Sequence, residues 1–161
     1  MKILVLSDSH GSDRNVRKAV RKEAPFDALI HLGDSQEEME LFRASSGCTA
    51  ELYMVRGNCD FTGSYPELLT LELAGHRCFL THGHYHYVSF GTGELCAEAR
   101  ENDCEIALYG HTHRPNLSDE GDVLVLNPGS ISYPRQDGHN PSYMVLTLEE
   151  GKEPQVSLHY L

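Results

Sequence analysis

Ile3-Leu4-Val5-Leu6 is an unbroken run of strand-forming apolar residues, which suits a strand buried on both faces of a helix-covered parallel sheet. Polarity switches at once to Ser7-Asp8-Ser9-His10, so a carboxylate and an imidazole two positions apart leave the carboxyl end of that strand. In open α/β sheets that edge is where ligands bind. Gly11 offers a turn that would let Asp8 and His10 converge on one metal ion, while Asp8 and Ser9 would equally suit a helix cap.

The same pattern repeats along the chain. Ser12 can cap a helix whose apolar positions Val16, Ala19 and Val20 recur at helical spacing, with Arg14, Arg17, Lys18, Arg21 and Lys22 as a solvated basic face, until Pro25 ends it. Asp27 to Leu32 reads as a second strand running into Gly33-Asp34. Ser35 with Glu38 matches a capping box for a second helix carried by Met39, Leu41 and Phe42. Glu51 to Val55 is a third strand, closed by Arg56-Gly57-Asn58-Cys59-Asp60. Three strands alternating with two helices make a βαβαβ half with its polar clusters at one sheet edge.

The second half is richer in strands. Leu68 to Leu73 and Arg77 to Thr81 form a hairpin across Ala74-Gly75, ending in His82-Gly83-His84. A helix through Leu95, Ala97 and Ala99 leads to a short strand, Glu105 to Tyr109, that ends in Gly110-His111-Thr112-His113. Val123 to Leu126 is closed by Asn127-Pro128-Gly129-Ser130, and Tyr143 to Leu148 pairs with Gln155 to Tyr160 across Glu150-Gly151-Lys152. All of this fits one domain over residues 1–161, long enough for a core without disulfides. The five cysteines are odd in number and show no CxxC pair, which argues against a disulfide framework and a thiolate zinc site. They are expected reduced and mostly buried. No apolar run reaches membrane-span length and Met1 leads straight into a strand, so a cytoplasmic protein without membrane contact is expected.

Singly, the polar clusters are weak signals, because Gly-Asp and Asn-Cys-Asp are common turns and two histidines two apart on a strand face opposite sides. Their joint occurrence after successive strands points to a metal centre. Carboxylate, imidazole and amide donors without thiolate suit manganese, iron, nickel or zinc. A net charge of −11 disfavours a sequence-independent grip on nucleic acid, and bound cations would offset part of it locally.

The ordered set Asp8-x-His10, Gly33-Asp34, Gly57-Asn58-Cys59-Asp60, His82 and Gly110-His111-x-His113 resembles the calcineurin-like metallophosphoesterase family, in its small bacterial and archaeal phosphodiesterase form. That resemblance implies an α/β/β/α sandwich with the site at the carboxyl ends of the strands. It implies two divalent ions per chain, manganese foremost, with Asp8, His10 and His113 on one, Asn58, His82 and His111 on the other, and Asp34 bridging. In such a site ions ~3.5 to 4 Å apart acidify a bridging water and orient it in line with the P–O bond. Asp34, Asn58, Cys59 and Arg135 are the candidate catalytic positions, Arg135 because similar family members carry a basic residue there that could meet the phosphate; a plain surface arginine is the other reading. Many larger relatives have histidine where this chain has Cys59, and a thiol is a poor acid toward an alkoxide. His84 and His86 could reach a substrate or be exposed loop residues, and Asp60 could orient the asparagine loop or simply turn it. The function expected is hydrolysis of a small phosphodiester, with self-association left open. A protein-interaction scaffold of the same fold, like a retromer subunit with an impaired metal site, is the first alternative. A nuclease is the second, disfavoured by the acidic balance.

Overall fold

The computed structural model describes residues 1–61 and 65–161, and within them two five-stranded sheets stack face to face. The first sheet has the order β10-β9-β1-β2-β3, with β1 (Lys2–Leu6), β2 (Ala28–His31) and β3 (Glu51–Met54) parallel. β9 (Ser142–Thr147) and β10 (Gln155–Tyr160) close it as an antiparallel pair against β1. In the second, of order β4-β5-β6-β8-β7, β5 (His76–Thr81), β6 (Ile106–Leu108) and β8 (Leu124–Pro128) are parallel, and β4 (Leu68–Leu73) and β7 (Pro115–Asp119) are antiparallel edges.

The apolar runs are unbroken because each strand serves two cores at once. Ile3, Val5, Ala28 and Ile30 point between the sheets and meet Cys78, Leu80, Ile106, Leu108 and Leu126 of the second sheet. Their neighbours Leu4, Leu6 and Leu29 point the other way, onto Val16, Ala19 and Val20 of α1 (Asp13–Glu23) and Phe42 of α2 (Met39–Ser46). Phe79, Ala107 and Val125 likewise meet Leu95, Cys96 and Ala99 of α3 (Gly93–Glu101). Period-two alternation with both faces apolar therefore produces the expected helix, sheet, sheet, helix layering. No described helix is long and apolar enough to cross a membrane. All five cysteines are free, and only Cys59 is not buried.

Local readings differ from the structure at five points. Ser12 stands at the N-cap of α1 but its side chain makes no capping hydrogen bond. Ser35 does not cap α2: the helix starts at Met39 behind Glu38, without a side-chain cap. The Ser35 hydroxyl instead donates to the Glu37 carbonyl and reaches Asp60, because residues 34–36 are committed to the loop after β2. Leu41 is 61% exposed, and the packed face of α2 is Phe42 with partly buried Met39. Ala97 faces solvent, its place taken by Cys96. The strand β7 has no apolar alternation to announce it, opening on a proline and exposing Leu117, which only an edge position tolerates.

Candidate metal centre

Every parallel strand of both sheets hands over to a polar turn, and hydrogen bonds across the seam bring these turns together. The Ser130 hydroxyl after β8 donates to the Asp8 carbonyl at 2.8 Å, and the His82 ring after β5 donates from Nδ1 to the Leu32 carbonyl at 2.7 Å. Asn127 holds the turn after β6, donating from Nδ2 to the Gly110 carbonyl at 2.8 Å and to Thr112 Oγ1 at 3.1 Å. Two glycines permit the approach: a Cβ on Gly57 would collide with Asp34 Oδ1 and its backbone nitrogen, and one on Gly110 would collide with Ser7 Oγ.

Donor atoms of Asp8, His10, Asp34 and His113 gather within 4.8 Å of one another. Their protonation follows from the outer partners. His113 Nδ1 faces the Tyr133 carbonyl at 2.6 Å, which only accepts, so Nδ1 carries the proton and Nε2 keeps its lone pair. That lone pair points at Asp8 Oδ1 at 3.1 Å and His10 Nε2 at 3.4 Å. Asp8 is completely buried and neither of its oxygens has a hydrogen-bond partner among the described residues. The same holds for His82 Nε2, whose Nδ1 is likewise committed to a carbonyl. Buried acceptors converging on one point without a donor are costly unless a cation satisfies them, so the donor set fits a divalent ion.

Asp34 stands between two groups of histidines. Its Oδ2 is 3.8 Å from His10 Nε2 on one side and 3.5 Å from His82 Nε2 on the other, while Oδ1 accepts the Cys59 N–H at 2.7 Å. Burial opposes the Asp34 charge, yet His82 and the Cys59 N–H hold its carboxyl well below the usual range. Asp8 is lowered in the same way, burial being outweighed by His113 and His82. For His82 burial pushes down, and Asp34 and Asp8 overcome it to raise the imidazole, a proton on Nε2 being the alternative to a metal cation among these acceptors. Burial lowers His10 and His111 despite the carboxylates near them.

The second histidine group is looser. The His111 ring lies 5.2 Å from that of His82, and His84 sits 5.4 Å from His82 and 6.2 Å from His111. Burial, with His82 and His111 beside it, pushes His84 down to about 4. Asn58 is exposed and its amide donates to Cys59 Sγ at 3.3 Å. Cys59 is half-buried, and burial together with Asp34 pushes its thiol up to about 11. His86 turns away: it is buried on Phe79 and paired with Glu98 of α3 at 2.7 Å.

Two cavities flank the centre. One of about 540 Å³ is lined by His10, Gln36, His113, Tyr133 and Arg135; the other, of about 380 Å³, by Asn58, Phe61, His84 and Tyr85 among others. Gln36 and Tyr133 had no sequence pattern to single them out. Asp60 does more than turn the chain: it accepts the N–H groups of Asp34 and Gly57 on Oδ2, both at 2.8 Å, and that of Gln36 on Oδ1 at 2.6 Å. Beneath the loop after β1, His31 is fully buried and hydrogen-bonded to Ser9 between the two ligands.

Several proteins are similar to this chain over most of their length. A probable metallophosphoesterase of Bacillus subtilis, YsnB, is 35% identical over 151 residues, covering 92% of this chain and 85% of its own. The Escherichia coli phosphodiesterase YfcE is 30% identical, covering 88% of this chain and 84% of its own. A crystal structure of a predicted phosphoesterase from Streptococcus pneumoniae TIGR4 superposes with a TM-score of 0.84 at 34% identity, over 99% of this chain and 88% of that one. With residues 1–151 also matching the family model of that domain, the chain belongs to the calcineurin-like phosphoesterase superfamily.

Proposed function

We propose that the protein hydrolyses small phosphodiesters with two divalent metal ions, manganese foremost, held on either side of Asp34. The observation that carries this reading is the single carboxylate oxygen, Asp34 Oδ2, placed between His10 and His82. Asp8, His10 and His113 would hold one ion, and His82, His111 and Asn58 the other, with Asp34 common to both. When bound, such ions supply Lewis acidity at the phosphoryl oxygens and an acidified water as nucleophile.

The chain's own part is to fix the donors and receive the ester. The Cys59 N–H takes up Asp34 Oδ1 and leaves Oδ2 to the centre. The Tyr133 and Leu32 carbonyls fix the rings of His113 and His82 with Nε2 inward. Arg135, lining the larger cavity beside His10, can meet the non-bridging phosphate oxygens through its guanidinium fork. A thiol near 11 at Cys59 and a neutral His84 are weak proton donors at pH 7, so good leaving groups are favoured. Cavities of about 540 and 380 Å³, with a net charge of −11, support a small ester rather than a nucleic-acid polymer. The chain is read throughout as one domain acting in the cytoplasm.

Bis(p-nitrophenyl) phosphate and p-nitrophenyl phosphate should be offered to the protein after chelation and after loading with manganese, zinc, nickel or iron. Diester turnover that appears on loading and exceeds monoester turnover is expected. Hydrolysis indifferent to chelator would remove the metal mechanism, and none with any of these metals would remove the enzyme reading and favour the scaffold.

A further inference from the structure

Beside the cavity over the metal centre lies another of about 420 Å³, and the two share Arg135 as a wall. Arg114, Thr112, Asn116, Ser89, Tyr109 and Pro115 line its remainder. Both arginines are rooted on His113: Arg114 follows it in the chain, and the Arg135 N–H donates to its carbonyl at 3.0 Å. Thr112 Oγ1 accepts the Arg114 N–H at 3.3 Å and is itself held by Asn127, so the backbone beneath Arg114 is fixed.

The two guanidinium groups are unspent. Among the described residues neither makes an ion pair or a side-chain hydrogen bond, a condition they share with Arg14 and Arg21 on α1, whereas Arg17, Arg56 and Arg100 pair with carboxylates and Arg43 and Arg77 bond carbonyls; what sets Arg114 and Arg135 apart is that they line one cavity. Among the described residues no carboxylate lines either cavity, in a chain with 24 aspartates and glutamates. Two free arginines at a cavity without acidic lining form a site for an anion, because the guanidinium fork matches phosphate oxygens and is weakly hydrated.

We propose that this cavity is a subsite for a second anionic group of the substrate, a phosphate carried beside the scissile diester. The assignment rests on the phosphodiesterase reading for its meaning, since Arg135 would touch both phosphates. It makes doubly phosphorylated esters the preferred class over simple dialkyl phosphates.

The test is calorimetric titration of the manganese-loaded protein with thymidine 5′-phosphate and thymidine 3′,5′-bisphosphate, the nucleoside serving only as carrier. The wild type should bind the bisphosphate roughly tenfold more tightly or better, the factor expected from one charge-assisted hydrogen bond. Arg114→Gln should lose that preference. Arg21→Gln on α1, which removes the same charge elsewhere, should keep it. Equal affinity for the two ligands, no measurable binding of either, or equal loss of preference in both variants overturns the subsite. Failure of the enzyme reading shows separately, as absence of bis(p-nitrophenyl) phosphate hydrolysis by the loaded wild type, while the preference and its dependence on Arg114 still decide the subsite.

Discussion

Removing the Asp60 carboxylate should loosen two ligand loops at once. It is 7% exposed and ties the loop after β2 to the loop after β3 through the N–H groups of Asp34, Gly57 and Gln36. Asp34 and Gly57 are buried, so in Asp60→Ala their donors lose their partner with little access to water, whereas exposed Gln36 can be resolvated. At about 1–3 kcal/mol for each of the two buried donors left unsatisfied, the loss is about 2 to 6 kcal/mol. Asp60→Asn should cost only about 1–2 kcal/mol: its oxygen can keep Asp34 and Gly57, and its NH₂ then displaces Gln36 and turns the Ser35 hydroxyl into an acceptor. Because Asp34 moves with its backbone, manganese affinity in Asp60→Ala should fall by about 10–100-fold, the usual result of losing an outer partner. Urea denaturation in chelator gives the first quantity and calorimetric manganese titration the second. Wild-type stability in Asp60→Ala would reduce Asp60 to a turn residue; lost stability with unchanged manganese affinity would refute its role in placing Asp34.

Three further outcomes are expected. Asp34→Asn should lower bound metal, by elemental analysis, and diester turnover by more than Asn58→Ala, since Asp34 faces both histidine groups while Asn58 is exposed; equal effects would contradict the bridging assignment. His31 is pushed down to about 4, chiefly by burial, so the folded chain refuses a proton that the unfolded chain takes near 6.5. Stability is therefore present above that value and lost as pH falls, by about 2 kcal/mol between pH 7 and 5 in chelator, and His31→Gln should flatten this slope. Cys59→His should place an imidazole beside Asp34 in place of a thiol near 11, raising rates for alkyl leaving groups by up to roughly 10²–10⁴-fold with little change for activated esters. An unchanged slope of log rate against leaving-group pKa would place the proton source elsewhere.

The fold was readable because a buried parallel strand leaves an unmistakable mark: Ile3 to Leu6 must be apolar throughout to serve two cores. The edge strands β3, β4 and β10 still carried enough apolar residues to be read, but β7, with one half-exposed leucine, left no such mark. Local helix signals failed where a distant residue outbid them, as Asp60 did by claiming the backbone ahead of α2. At the site, donor types and their order were visible, but their backbone was not. Asp8, His10, Asp34, His111 and His113 all adopt positive φ, between 47° and 66°, which side-chain-bearing residues avoid and no sequence pattern advertises. The role of Asn127 was hidden, and that of Asp60 left open between orienting its loop and merely turning it, for another reason: most of their partners are backbone groups, anonymous in sequence. Arg114 carries no signal in the sequence and stands out only through its cavity and its lack of a partner.

The donors that gather at the centre span Asp8 to His113 and come from both sheets, so neither sheet alone can assemble the site. Completion of the first sheet comes later still, because β1 must wait for β9 at residues 142–147 to take its second edge. During synthesis the amino-terminal βαβαβ half emerges with Asp8, His10 and Asp34 but without the histidines from the second sheet. On the proposed function, metal capture is therefore a late event in the life of the chain, following closure of contacts that span most of its length. Such contacts are slow to form. A mutation far from the centre that delays the docking of β9 would leave a newly made molecule open to proteolysis with its ligands present and its ion not yet held.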